Sequence, residues 1–195
     1  MGEQIFDHFR LVGGTALSLY YGHRMSVDID LFTDASYDTV DFDSIDTFLR
    51  NRYSYVSVFG TGPVGFGKSY LVGTNKNNAV KLDLFYHDSF IRSTVQQFNV
   101  RLAHPDDIAA MKIHVIQRGG RKKDFWDLHE LMEHYTLKNL LKLHQEKYPY
   151  NHDVEIILKS LNNFEVADDD FEPICLRGKH WELIKLDICE WIESQ

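Results

Sequence analysis

The sequence predicts an α/β (α+β) chain: a mixed sheet with flanking helices, followed by a helical C-terminal domain. Three observations carry that prediction. Up to residue 103, short apolar runs alternate with Gly, Asn and charged residues, as strands and turns do. From His104 onward, apolar residues recur at helical spacing. An apolar fraction of 44% with 13% aromatics is that of a folded globular chain. The expected division is a core over residues 1–103 and a helical domain over 104–195 that contributes to the active-site cleft, with no repeat, low-complexity tract or long linker between them.

The elements follow in order. "RLV" reads as a short strand leading into Gly13 and Gly14, and Thr15 as the cap of a compact helix, "ALSLYY", that Gly22 ends. That helix is apolar almost all round and is expected to be buried. "SVDIDLF" is a strand, with Val27, Ile29 and Leu31 expected to face the core. "DTVDFDSIDTFLRNR" places Val40, Ile45, Phe48 and Leu49 at helical spacing. "YSYVSVFG" alternates as a strand, and "KSYLVGTNKNNAVKLDLFY" reads as a hairpin about an Asn- and Lys-bearing turn. "HPDDIAAMKIHVIQRGG" opens with Pro105 and two acids suited to a helix start, and stops at Gly119-Gly120. Further helices are expected in "KDFWDLHELMEHY", "LKNLLKLHQEKY", "DVEIILKSL" and "HWELIKLDICEWIE", with "NNFEVADDDFEP" as a solvated acidic loop.

Bulk properties narrow the function. A chain of 195 residues buries a real core. A net charge of −8 argues against generic nucleic-acid binding, so a polyanion would have to meet a local basic patch or a metal. Cys175 and Cys189 lack CxxC spacing, which points to reduced thiols in a cytoplasmic protein. No apolar run approaches the roughly 20 residues of a membrane span. The start "MGEQIFDHFR" has neither a secretory signal nor a myristoylation pattern.

The chemistry concentrates in carboxylates set among core residues. Buried carboxylates are unfavourable unless paired or bound to a cation. Asp28 and Asp30 point the same way from one strand, roughly 7 Å apart. Asp83, between Leu82 and Leu84, repeats the pattern on a second strand. Each taken alone fits an edge strand with a wet face; three on two strands fit Mg²⁺ or Mn²⁺, which take oxygen ligands. Gly13 and Gly14 let backbone N–H groups approach a ligand, and a helix N-terminus at Thr15 attracts phosphate. Ser26 reads equally as a phosphate contact or a turn hydroxyl. Lys112 sits among the apolar neighbours Ile108, Ala109, Val115 and Ile116, where it either snorkels to water or meets a triphosphate. Asp124 and Asp127 share a helix face; they either orient Lys112 or Arg121, or bind the nucleotide, or form a solvated helix start. Arg24 reads as a brace for one of the strand carboxylates or Asp34, or as a substrate contact. Arg118, Arg121, Lys122 and Lys123 form the dense basic turn of an acidic chain, a solvated loop by default and otherwise a landing place for acceptor phosphate or RNA backbone.

"LVGGTALSLYYGHRMSVDIDLF", "KLDLF", "HPDDIAAMKIHVIQRGGRKKDFWDLHEL" and "LKSLNNFEVADD" together resemble the AbiEii/AbiGii toxin nucleotidyltransferases, within the DNA polymerase β nucleotidyltransferase superfamily. The resemblance runs over nearly the whole chain. It implies a nucleotidyltransferase-type mixed sheet with a C-terminal helical domain, Mg²⁺ (or Mn²⁺), and an NTP as donor. It also implies a toxin–antitoxin or phage-defence setting with an antitoxin encoded nearby, and acceptors such as tRNA ends. Carried onto this chain, it puts Gly13, Gly14 and Thr15 at the phosphates and Asp28 and Asp30 at metal. Lys112 then falls in the "MK" helix motif, and Asp124 and Asp127 in "KDFWDL".

The expected activity is therefore metal-dependent transfer of NMP from an NTP to RNA, tRNA or protein. Asp28, Asp30, Asp83 and Lys112 are the expected catalytic groups, with Asp83 helping to deprotonate the acceptor. Two alternatives stand beside it: an antibiotic-type enzyme acting on a small molecule, and a non-catalytic nucleotide-binding regulatory module.

Overall fold

The structure is a computed structural model and describes residues 2–59, 66–97 and 99–194. The strands β1 (Arg10–Val12), β2 (Ile29–Thr33), β3 (Tyr55–Phe59), β4 (Gly67–Asn75), β5 (Asn78–Tyr86), β6 (Val95–Gln97) and β7 (Val100–Leu102) form one mixed sheet. Their order is β3-β4-β5-β2-β1-β7-β6. The helices are α1 (Gly13–Tyr21), α2 (Phe42–Arg52), α3 (Pro105–Gln117), α4 (Lys122–Leu131), α5 (Leu137–Lys147), α6 (Val154–Leu161), α7 (Glu165–Asp168) and α8 (Trp181–Glu193). The expected mixed sheet and helical second half are both present. The chain divides into two units, Met1–Thr15 with Val27–Ala103, and Ala16–Ser26 with His104–Gln195. The boundary passes through α1, so the 16–26 segment groups with the helices.

In the first unit the apolar alternation of β2 and β5 sets the register. Ile29 pairs with Leu82, Asp30 with Asp83 and Leu31 with Leu84, in parallel. Leu31, Leu82 and Leu84 are buried on one face, each contributing about 1.5–3 kcal/mol. On this face α2 supplies Phe48 and Leu49 over a cavity of about 420 Å³, which Ile29, Leu31, Val72 and Val80 also line. Asp41 caps α2, its carboxylate accepting from the N–H groups of Asp43 and Ser44.

Two expectations are corrected here, and one hairpin is added. The strand begins at Ile29, not Ser26, and Val27 is 66% exposed and outside the core. Thr15 is not a cap: the helix starts two residues earlier, at Gly13, whose φ of +68° turns β1 straight into α1. The hairpin β6–β7, turning at Asn99 (φ 58°), was not foreseen; two three-residue strands carry no alternation to read. Gly60, the expected end of the third strand, lies outside the described residues.

The second unit is built on α3, buried through Asp107–Ile113 and at Ile116 and packed by α4, α5 and α6. His104 caps it by accepting from the Asp106 N–H at 3.1 Å, Pro105 enters the first turn, and Gly119 (φ +96°) ends it. An aromatic cluster joins α4 to α8, with Trp126 and Trp181 stacked at 5.8 Å. The "acidic loop" contains α7, and two of its acids are paired: Asp168 accepts from Trp181 and Lys185, and Asp170 from Arg121. Among the described residues, no helix is long and apolar enough to cross a membrane.

Candidate active site

In the first unit, register sets one row of side chains across four strands. Val12 stands opposite Asp30, Asp30 opposite Asp83, and Asp83 opposite Ser69. Adjacent strands are about 4.8 Å apart, so the Asp30 and Asp83 carboxylates leave the sheet side by side. Asp28, two residues before Asp30, precedes β2; its carbonyl accepts the Thr15 hydroxyl, which ties the start of α1 to the segment entering β2. Thr15 therefore holds the backbone beside the acids. The φ of +68° at Gly13 favours glycine, and a Cβ there would lie 2.6 Å from Asp30 Oδ2 and displace this carboxylate. Gly14 follows as the second residue of α1.

A lysine completes the group. Lys81 Nζ donates to Asp83 Oδ2 at 2.5 Å. Burial alone would lower the Lys81 pKa; the hydrogen bond to Asp83 and the attraction of Asp83, Asp30 and Asp28 outweigh it and raise the pKa. The other Asp83 oxygen, Oδ1, is buried with no hydrogen-bond partner.

These residues fit a divalent cation of the Mg²⁺ or Mn²⁺ kind. The donors are all carboxylate oxygens, and Asp83 Oδ1 is an orphaned acceptor. The expected convergence is corrected in one respect. Among the described residues, no three acidic, His or Cys side chains are drawn close enough to hold a metal as they stand. Like charges hold carboxylates apart, and the Lys81 ammonium sits among them.

The second unit holds a buried ionic cluster. Asp127, wholly buried, accepts from His23 Nε2 (2.6 Å) and Arg24 Nε (2.7 Å) at Oδ1, and from Arg24 Nη2 (2.8 Å) at Oδ2. Lys112 Nζ lies 2.7 Å from both Asp124 Oδ1 and Asp127 Oδ2. Asp124 Oδ2 accepts the Arg121 N–H at 3.0 Å and caps α4. Burial would raise the Asp127 pKa, but Lys112, His23 and Arg24 hold it well below the usual carboxylate range. Burial would lower that of Lys112, and its two carboxylates raise it instead. Lys112 thus neither snorkels nor reaches water; it is oriented by Asp124 and Asp127, which are not a solvated helix start. Arg24 is a brace, though its partner is Asp127, while Asp34 lies 3.9 Å from Arg10. Ser26 is half-buried on the segment beyond Arg24.

The basic turn is not an open patch. Arg121 pairs with Asp170 at 2.8 Å, and Lys122 is buried, donating to the Asp168 carbonyl at 3.2 Å. Arg118 is exposed and Lys123 half-buried. Sequence reasoning missed His23, Ser69 and Lys81 as site residues. Lys81 was legible, because a residue two before Asp83 shares its strand face; Ser69 and His23 enter only through long-range pairing.

Comparison with known proteins adds to this geometry. A family model described as "Nucleotidyl transferase AbiEii toxin, Type IV TA system" matches residues 3–188. The uncharacterized protein aq_aa25 of Aquifex aeolicus (strain VF5) is 34% identical, over 97% of this chain and 91% of its own length. JHP933 from Helicobacter pylori has a similar fold: TM-score 0.59, 20% identity, 97% of this chain and 84% of that one. So has MenT4, a nucleotidyltransferase toxin from Mycobacterium tuberculosis H37Rv, with TM-score 0.56, 14% identity, and coverage of 97% and 76%.

Proposed function

The chain belongs to the AbiEii family of nucleotidyltransferase toxins, of type IV toxin–antitoxin systems, and on that premise we propose that it moves NMP from an NTP onto an acceptor hydroxyl or phosphate at the Asp28, Asp30 and Asp83 row. The acceptor oxygen attacks the α-phosphorus, the bond to the β-phosphate oxygen breaks, and pyrophosphate leaves. The observation that carries this reading is the register pairing of Asp30 with Asp83 beside the left-handed Gly13, where a Cβ would press on the Asp30 carboxylate.

Asp28 and Asp30 are the residues that would hold Mg²⁺ or Mn²⁺, with Asp83 as the third carboxylate. Bound there, such an ion supplies charge neutralisation for the phosphates. Asp83 also takes the acceptor proton, for which its buried Oδ1 keeps an unused lone pair. Gly13, Gly14 and Thr15 offer the backbone N–H groups of a helix start to the triphosphate. In the helical unit, Lys112 is a positioning residue rather than a nucleotide contact: its ammonium is held by Asp124 and Asp127, and Ser26 belongs to the same unit. RNA, tRNA or protein is the proposed acceptor, and a cognate antitoxin the proposed partner in the cytoplasm.

A second reading, with a small-molecule acceptor, is favoured by one observation: Arg121 and Lys122 are already bound by the Asp168–Asp170 segment, which leaves less basic surface for RNA. Incubating the protein with each labelled NTP, Mg²⁺, and RNA, protein and small-molecule acceptors separates the two. Transfer to one acceptor class identifies it; absence of transfer to all of them, in folded protein, contradicts the proposal.

A further inference from the structure

We propose that Lys81 is the resident counter-cation of the carboxylate row, and that a divalent ion loads by displacing its ammonium from Asp83. The inference rests on the reading of Asp28, Asp30 and Asp83 as the metal-holding residues. Lys81 comes two residues before Asp83 on β5, so both side chains leave the same face of the sheet. Its ammonium lies 2.5 Å from Asp83 Oδ2 and within electrostatic reach of Asp30 and Asp28. This positive charge thus stands beside carboxylates that would draw a dication, and it answers one oxygen of Asp83, leaving Oδ1 without a partner.

The two members of the pair differ in freedom. The Asp83 side chain is 13% exposed and held in the middle of the sheet, whereas that of Lys81 is 37% exposed on a flexible stem. The lysine can leave; the carboxylate cannot. A resting place exists beside it. Phe59, on β3, is the register partner of Ser69, which is itself opposite Asp83. Its ring centroid is 5.9 Å from Lys81 Nζ, within cation–π range. Removal of the lysine charge would therefore act twice: it would leave the Asp83 carboxylate without its ammonium, and it would relieve an incoming cation of its competitor.

The test is a titration of Mn²⁺ alone, without nucleotide, into wild type, Lys81→Met and Lys81→Arg, followed by electron paramagnetic resonance of the free ion. Melting is measured in parallel in chelator and in Mn²⁺. The expected result is binding to Lys81→Met about tenfold tighter than to wild type, with Lys81→Arg close to wild type because the charge is kept. Lys81→Met should also melt lower than wild type in chelator and gain more on adding Mn²⁺, a pair of opposite shifts that a merely structural lysine would not produce. Lys81→Gln replaces Lys81→Met if the latter does not fold. Equal or weaker Mn²⁺ binding by the neutral variant, where Asp30→Asn abolishes binding, overturns this inference alone. Mn²⁺ binding that Asp30→Asn leaves unchanged puts the ion elsewhere, and overturns both this inference and the reading beneath it.

Discussion

Asp30 and Asp83 are register partners on the parallel strands β2 and β5, and both carboxylates leave the same face of the sheet. Two acids in that relation destabilise a sheet unless a cation joins them. Asp30→Asn is therefore expected to separate stability from function. Nucleotidyl transfer should fall by about 10²–10³-fold, the scale of removing one charge-stabilising group. The melting temperature should stay level or rise, because one negative charge leaves the row. Label-transfer rates and thermal melts of the same preparation check this.

Gly13→Ala strains two features at once. The backbone φ of +68° disfavours any side chain, and the new Cβ would meet Asp30 Oδ2 at 2.6 Å. A loss of about 1–3 kcal/mol in urea unfolding is expected from the backbone alone. The Asp30 carboxylate can swing away from the methyl group, and transfer should drop further than the lost stability explains.

Asp127→Ala would leave Arg24 and Lys112 buried without their shared carboxylate. Breaking a buried ion pair from one side typically costs about 3–5 kcal/mol, and denaturant unfolding should show a loss on that scale. The pH dependence has a definite sign. Asp127 is held below the ordinary carboxylate range, so its stabilisation is complete above the unfolded pKa of about 3.9 and is lost as pH falls below that value.

His144 predicts a second, milder acid transition. It lies buried between His114, 3.3 Å from its Nε2, and His152, 3.0 Å from its Nδ1. Burial first, then the two neighbouring histidines, lower its pKa to about 4. Unfolded, it binds a proton below about pH 6.5, so stability should decline from there down to about pH 4, by up to about 1.4 kcal/mol per pH unit. His144→Leu should flatten that slope in melts recorded across the range; an unchanged slope would assign it to other groups.

The legible parts of this fold were those whose signal is local. "VDIDLF" and "KLDLF" declare their strands and acids by alternation, and "HPDDIAAMK" declares its helix by Pro105 and the following acids. What escaped was set by pairing across the chain. Arg24 meets Asp127 over 103 residues, and Arg121 meets Asp170 over 49, so neither a brace partner nor a neutralised basic turn is visible in a window of sequence. The start of α1 was misplaced for a different reason. Thr15 is a good cap by type, but Gly13 takes the left-handed turn and frees the Thr15 hydroxyl for the Asp28 carbonyl.

The central claim is that the Asp28, Asp30 and Asp83 row transfers the α-phosphoryl end of an NTP, and the position of the label tests it most directly. With NTP labelled at the α-phosphate, wild type and Mg²⁺ should place label on the acceptor and Asp30→Asn should not, while γ-labelled NTP should release all its label as pyrophosphate. Label reaching the acceptor from the γ-phosphate, or α-label transferred equally by Asp30→Asn, would contradict the account.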